Sequence, residues 1–490
     1  MKITNSVKGM LLGIVLVFSS TGTPRIATAS DEYDVVILNG RVMDPESGLN
    51  ATRNIGIRDG KIRALTNSPL QGRIAIDAKG LVVAPGFIDL HEHAQQLRSY
   101  AFQAHDGVTT SLELETGTDD VDKWYANRAG KTLINYGVSI GESLVRMDVM
   151  AKSTDRTPLQ EEEASHRAPT PEEQVEILNL MTKGLRQGAL AVGYDINDTP
   201  GASRWEIYES FQLAAKYSAM NDVHMRFLGA LEPGSAMEGL QELLADAIAS
   251  GASLNVVHIT SVGLRDTPRL LEVIKQASAR GIDISTECYP YSAASGPLNT
   301  ALFDPGWQER MGVSYNNLQS ADTGERLTAE TFAKYRKQGD SVVIHLMPEE
   351  IVRQAVADPT VMIASDGGPI TGPKIHPRGQ GTYSRVLGHY VREEKVLTLM
   401  DALRKMTLMP AQRLQKRAPQ FTDKGRIRVG ADADITVFDP EHIIDKATYD
   451  DPLQYSQGVQ FVLVNGVLVV RDGQLLSGVA PGLAVRAPIQ

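Results

Sequence analysis

The 490-residue chain has one cysteine, Cys288, so no intramolecular disulfide can form and stability must come from a packed core and from bound metal where there is any. It also lacks any Lys/Arg-rich run, and 49 Lys plus Arg against 59 Asp plus Glu leave a formal net charge of −10. A nucleic-acid partner is therefore not expected. Nor does any unbroken apolar run approach the ~20 residues that span a bilayer. One short run, Gly9 to Phe18, follows Lys2 and Lys8 and precedes Ala27-Thr28-Ala29, which is the layout of a cleavable export signal. The sequence thus predicts a signal peptide over residues 1–29 and a mature protein that is periplasmic or secreted, with no membrane association after cleavage.

What is present is ordinary globular composition, 42% hydrophobic and 22% charged, in enough chain for one large domain and a smaller one. From Tyr33 the text runs in short strands broken by Asn-Gly, Asp-Gly and Lys-Gly turns. The same texture returns near the end, in KGRIRVGADADITVFDP and VQFVLVNGVLVVRDGQLL. Residues 32–84 and 425–490 are accordingly expected to form the two parts of one small β-sandwich.

Between them, over 85–424, β-branched and apolar runs alternate with helical patterns, as parallel βαβ units require. Eight such runs stand out, at 87–93, 109–115, 137–142, 189–195, 222–227, 254–260, 283–291 and 361–367. Eight parallel strands close a (β/α)8 TIM barrel, and that is the fold class predicted here. Helices are expected over Pro171 to Gln187, Trp205 to Ser218 and Thr267 to Arg280. The stretch 292–360 is too long for a simple connection and contains a further strand, SVVIHLM, so it reads as an insertion over the active face.

Ligand-type side chains recur at the C-terminal ends of five of the eight runs: His91 and His93, Glu115, His224, His258 and Asp366. In a barrel these ends share one mouth. One residue separates His91 from His93, so on a strand both rings project to the same side and can grip one cation. Glu92, between them, points the other way and reads as structural. A single histidine at a strand end is usually a satisfied core residue, and His105, His166, His345, His389 and His442 are read that way, with His376 at the rim of the mouth. Six ligand-type groups at one mouth read instead as a metal site.

The ordered set PGFIDLHEH, GVTT, a lone histidine on the fifth run, another on the sixth, and SDG on the eighth resembles the amidohydrolase superfamily. More narrowly, GKTLINYGVSIG, HMR at 224–226, YPYSAAS at 289–295, HPRGQGTYSRVLGHYVRE at 376–393 and GADADITVFDP at 430–440 resemble the D-aminoacylases, the N-acyl-D-amino-acid deacylases. The resemblance runs from Tyr33 nearly to the end. It implies one or two zinc ions, one position held by His91, His93 and Asp366 and the other by His224 and His258. Superfamily members often place a carboxylated lysine on the fourth strand, but ALAVGYD has none, and Thr116 stands where D-aminoacylases often carry a cysteine. The ligand between the two positions is assigned to Glu115, with Glu113, two residues earlier on the same face, as the alternative.

The resemblance further implies zinc-activated water attacking an amide carbonyl, with Asp366 as ligand and as the catalytic acid and base that moves the proton to the departing amine. Arg378 would bind a carboxylate of the small-molecule substrate, helped by Tyr289 and Ser295. The activity the resemblance implies is deacylation of an N-acyl-D-amino acid or a related D-configured dipeptide; a lysine often found two residues after the sixth-strand histidine is Thr260 here, and a Gly-His on the third strand is Gly141-Glu142, departures that leave room for a preferred substrate other than a simple N-acyl-D-amino acid. Two other functions fit the same residues: hydrolysis of a cyclic amide or lactone in the same barrel, and a secreted metal-binding protein with no turnover. The sequence carries no signal for the oligomeric state.

Overall fold

The computed structural model describes residues 33–151 and 158–490. The expected leader, residues 1–29, lies outside the described residues. None of the described helices is long and apolar enough to cross a membrane.

Eight parallel strands form the barrel: β1 (Phe87–Asp89), β2 (Val108–Thr118), β3 (Asn135–Gly141), β4 (Ala191–Asp195), β5 (Met220–His224), β6 (Ser253–Val256), β7 (Ile284–Cys288) and β8 (Val361–Ile363). They hydrogen-bond in sequence order from β1 to β8. Closure comes from backbone beyond the two outer strands. The Asp366 amide donates to the His91 carbonyl at 2.8 Å, and the His93 amide donates to the Gly367 carbonyl at 2.8 Å. Glu92 does turn away from the histidines, as its strand parity requires, and it locks this seam. Its carboxylate accepts from the Ala94 amide at 2.8 Å and the Ser365 hydroxyl at 2.9 Å. A side chain at Gly367 would place its Cβ 2.1 Å from the Glu92 carboxylate, so the seam closes only around glycine there.

Several strands end earlier than their apolar runs. The ladder stops at Asp89, Val256 and Ile363, while the runs continue through His93, Thr260 and Gly367. The physical reason is the site itself, because the chain leaves the ladder so that His91, His93, His258 and Asp366 can turn into the mouth. Asp366 sits at φ 52° and His258 at φ 29°, left-handed backbone that a non-glycine residue adopts at a cost of about 1–3 kcal/mol each.

The helices begin where capping chemistry lets them. Thr170 and Glu173 form a reciprocal capping box at the start of helix Pro171–Arg186, and Ser203 and Glu206 do the same for helix Arg204–Lys216. Each presents an apolar face to the barrel, Ile177, Met181 and Leu185 from the first, Ile207, Phe211 and Ala214 from the second.

The chain ends build a second unit. Strands Tyr33–Asp44, Leu49–Arg58, Lys61–Thr66, Gly72–Asp77 and Val82–Pro85 join Ile435–Phe438, Val459–Val464, Val467–Arg471 and Gln474–Leu475 in one nine-stranded sheet. The ends meet where Val82–Pro85 runs antiparallel to Ile435–Phe438, with Val83 opposite Val437. This unit was expected as a sandwich; its strands belong to one continuous hydrogen-bonded sheet with its own core, including Val35, Ile37, Ile55, Ile57, Ile435 and Leu463. Within 292–360, strands Ala293–Pro297, Leu318–Ser320 and Ser341–His345 form a separate antiparallel sheet.

Phe211 is fully buried and packs against Tyr194 with ring centroids 5.6 Å apart, whereas Trp205, on the same helix, is 63% exposed. Phe211→Ala should therefore cost about 3–5 kcal/mol in chemical denaturation, and Trp205→Ala no more than about 0.5 kcal/mol.

Candidate metal centre

The six ligand-type residues converge. The rings of His91 and His93 stand at 90° with centroids 4.9 Å apart, and their Nε2 atoms face each other at 3.1 Å. The Glu115 carboxylate sits between them and the other two histidines. One oxygen lies 2.9 Å from His91 Nε2 and 3.1 Å from His93 Nε2. The other lies 2.9 Å from His258 Nε2 and 3.2 Å from His224 Nδ1. Asp366 Oδ1 approaches His91 and His93 Nε2 at 3.5 and 3.4 Å. Ligand atoms of His91, His93, Glu115 and Asp366 lie within 4.8 Å of one another, and so do those of Glu115, His224 and His258.

Local structure explains why Glu115 takes the centre. At Gly193 on β4 a Cβ would fall 2.1 Å from the Glu115 carbonyl, so the two backbones touch there. After Glu115 the chain turns at Gly117, at φ 69°, with Ser139 Oγ 2.3 Å from where a Cβ would be. That turn aims the Thr116 and Gly117 amides at Glu113 Oε1, at 3.2 and 3.3 Å. The other oxygen of Glu113 accepts from His93 Nδ1 at 2.8 Å. Glu113 is thus the partner that orients His93, and the alternative that placed it between the two histidine pairs is corrected. Glu287, which sequence reading missed, lies against the other imidazole, with Oε1 2.7 Å from His91 Nδ1. The only signal for it was a carboxylate in an otherwise uncharged stretch of β7.

These contacts leave the site short of positive charge. Four buried carboxylates, Glu113, Glu115, Glu287 and Asp366, surround the imidazoles, against the single guanidinium of Arg378. Burial alone would push His91 and His93 down, but Glu115 and Asp366 beside the one, and Glu113 and Asp366 beside the other, raise both well above the ordinary histidine range. His224, likewise opposed by burial, is lifted to about 9 by Glu115 and Asp195. Glu115 is held well below the usual carboxylate range by His91 and His258 in spite of its burial. At His258 burial prevails and lowers the imidazole. Imidazole nitrogens and carboxylate oxygens gathered this closely, with no sulfur among them, suit a divalent cation.

The cluster opens onto a cavity of about 550 Å³. Leu228, Val262, Leu302, Met311, Ile344 and Leu346 give it an apolar wall, partly from the 292–360 segment. Among the described residues Arg378 is its only Lys or Arg, with Nη1 2.6 Å from Asp366 Oδ2 and the guanidinium 4.7 Å above the Tyr289 ring. Arg378 Nε has no protein partner among the described residues. Ser295 lines the cavity, and its hydroxyl donates to the Val342 carbonyl at 2.9 Å, its strand being paired with Ser341–His345. Asp366 is held below the usual carboxylate range, Arg378 and His91 outweighing the effect of burial.

His376, expected at the rim, is buried in the wall; its Nδ1 accepts from the Arg378 amide at 3.0 Å and its Nε2 donates to the Ala293 carbonyl at 2.9 Å. Thr260 and Glu142 do not line the cavity. Glu142 is buried near Glu206 and Arg146, and burial together with Glu206 pushes it up to about 8. Sequence reading also missed Asp195 and Asp198, which line the cavity beside His224. The remaining histidines are engaged elsewhere, His105 with the Gly473 carbonyl and His166 with Asp304, for example.

A family model described as the amidohydrolase family matches residues 149–470. Among curated proteins, the chain is 28% identical over 486 residues to the N-acyl-D-glutamate deacylase of Alcaligenes xylosoxydans xylosoxydans, covering 90% of this chain and 94% of that protein. It is 27% identical over 497 residues to the D-aminoacylase of the same organism, covering 90% and 96%. Among solved structures, an N-acyl-D-glutamate deacylase from Bordetella bronchiseptica, complexed with zinc and a phosphonate mimic of the tetrahedral intermediate, superimposes with a TM-score of 0.80 at 26% identity, covering 93% of this chain and all of the other.

The different positions of the two neighbouring carboxylates predict different losses. Glu115→Gln should abolish tight uptake of a divalent ion, measured as metal content after gel filtration, while Glu113→Gln should weaken it by about 10–100-fold.

Proposed function

The chain belongs to the amidohydrolase family, and from that premise we propose that it hydrolyses the amide bond of an N-acyl-D-amino acid or a related D-configured dipeptide, using zinc held by His91, His93, Glu115, His224, His258 and Asp366. The observation that carries the proposal is the Glu115 carboxylate, whose two oxygens face one imidazole pair each. The names of the relatives support the bond and the substrate class. The zinc in the Bordetella bronchiseptica structure supports the choice of ion.

Zinc bound among these groups supplies Lewis acidity, which brings the ionisation of water near neutral pH and polarises a carbonyl. The protein's own groups do the rest. Asp366 turns one carboxylate oxygen to His91 and His93 and the other to Arg378, so it stands between the imidazole cluster and the cavity. It takes the proton from the attacking water and delivers it to the amine nitrogen as the C–N bond breaks. Arg378 Nε has no partner among the described residues, and the guanidinium so placed fits the carboxylate of the substrate's amino-acid part. Tyr289 supports the guanidinium from below. Apolar side chains, some of them from the 292–360 segment, line the cavity beside these groups.

Export is retained as a proposal, supported by the Lys2–Ala29 pattern, as is the division into a barrel over 85–424 and an outer β unit from 32–84 and 425–490. The cyclic-amide or lactone reading gains nothing from the deacylases named above. The reading as an inert binding protein has against it that all six positions are filled.

Chelation should abolish release of free amine from N-acyl-D-amino acids, and zinc should restore it; no turnover across a panel of N-acyl-D-amino acids and dipeptides by the zinc-loaded protein would remove the substrate assignment. Asp366→Asn, which cannot carry the proton, should lower kcat by about 10²–10⁴-fold in a steady-state assay.

A further inference from the structure

Beneath the metal cluster a row of polar side chains crosses the interior of the barrel. Asp222, Asn255 and Glu287 belong to the consecutive strands β5, β6 and β7, and all three are buried. Asp222 lies opposite Asn255 in register, and Asn255 opposite Ser285. The Asn255 amide donates to Asp222 Oδ1 at 2.7 Å and to Glu287 Oε2 at 3.3 Å. Its carbonyl accepts from the Ser285 hydroxyl at 2.6 Å, which fixes which way the amide faces. The free oxygen of Glu287 then accepts from His91 Nδ1 at 2.7 Å. The row therefore runs from the first histidine of the cluster to Asp222, which lies two residues before His224 and on the same face of β5.

Glu287 is 1% exposed, and among the described residues its only ion-pair partner is His91. A carboxylate buried without Lys or Arg costs several kcal/mol unless its hydrogen bonds and a nearby cation offset it, and an apolar residue would fill the same space more cheaply. Its contacts have one chemical consequence. By accepting the Nδ1 proton, Glu287 fixes the tautomer of His91 and leaves the Nε2 lone pair facing Glu115, His93 and Asp366. By contrast, His258 Nδ1 is buried with no hydrogen-bond partner among the described residues.

We propose that Glu287 is a positioning residue for the metal centre, holding the His91 ring in its ligating tautomer and orientation, and that Asn255 locks Glu287 in place from the far side. The proposal rests on the metal-dependent reading above, and its test separates the two.

Metal-free protein, Glu287→Gln and Glu287→Ala are titrated with zinc alone against a chromogenic chelator, and the thermal midpoint of each metal-free form is measured beside it. Zinc affinity should fall about 10-fold in Glu287→Gln and about 100-fold in Glu287→Ala, with the metal-free midpoint of Glu287→Gln unchanged. At saturating zinc, KM for substrate should stay at the parent value while kcat falls. Parent affinity in both variants would overturn the proposal, and so would a loss of affinity that only accompanies a lowered metal-free midpoint. Failure of the parent itself to take up zinc would overturn the functional reading and this inference together. If the Glu287 variants do not fold, Asn255→Ala must weaken zinc by up to about 10-fold; unchanged affinity there also overturns the proposal.

Discussion

Everything around the barrel mouth is arranged about one carboxylate, that of Glu115, shared by four imidazoles. Its oxygens lie 2.9–3.2 Å from four ring nitrogens contributed by three other stretches of chain. With Nδ1 turned to Glu287 and to Glu113, His91 and His93 in their neutral form point Nε2 lone pairs, not N–H groups, at that anion. A divalent cation held among these groups would resolve that conflict. The backbone is shaped to permit the arrangement. Gly193 brings β4 against the Glu115 main chain, and Gly117 lets the chain turn away immediately afterwards.

The barrel supplies precision and the residues that leave it supply chemistry. Closure through His91, His93, Asp366 and Gly367 means that the contacts completing the sheet also set the ligands. The strained backbone at His258 and Asp366 is held by this packing, so strain and function occupy the same residues. Around that core, Glu113 and Glu287 each aim one histidine, and Arg378 ties Asp366 to the cavity where a substrate carboxylate would sit.

Much of this was legible in the sequence because it follows from periodicity. The two-residue repeat puts His91 and His93 on one side and Glu92 on the other, and the alternating runs lead to eight parallel strands. The same parity could not choose between Glu113 and Glu115, since both point inward. That choice depends on the Gly117 turn, whose amides capture Glu113. Glu287 escaped notice because its importance lies in a contact with a residue 196 positions away. The bond from the Ser295 hydroxyl to the Val342 carbonyl was equally out of reach, because it follows from the pairing of its strand with Ser341–His345, which no local pattern records.

A divalent ion bound by nitrogen and oxygen around Glu115 is the central claim, and X-ray absorption spectroscopy of the zinc-loaded protein tests it most directly. The first coordination shell should be nitrogen and oxygen at about 2.0–2.2 Å with no sulfur. Zinc–sulfur scattering near 2.3 Å, which only Cys288 or a methionine could supply, or a first shell free of imidazole, would contradict it.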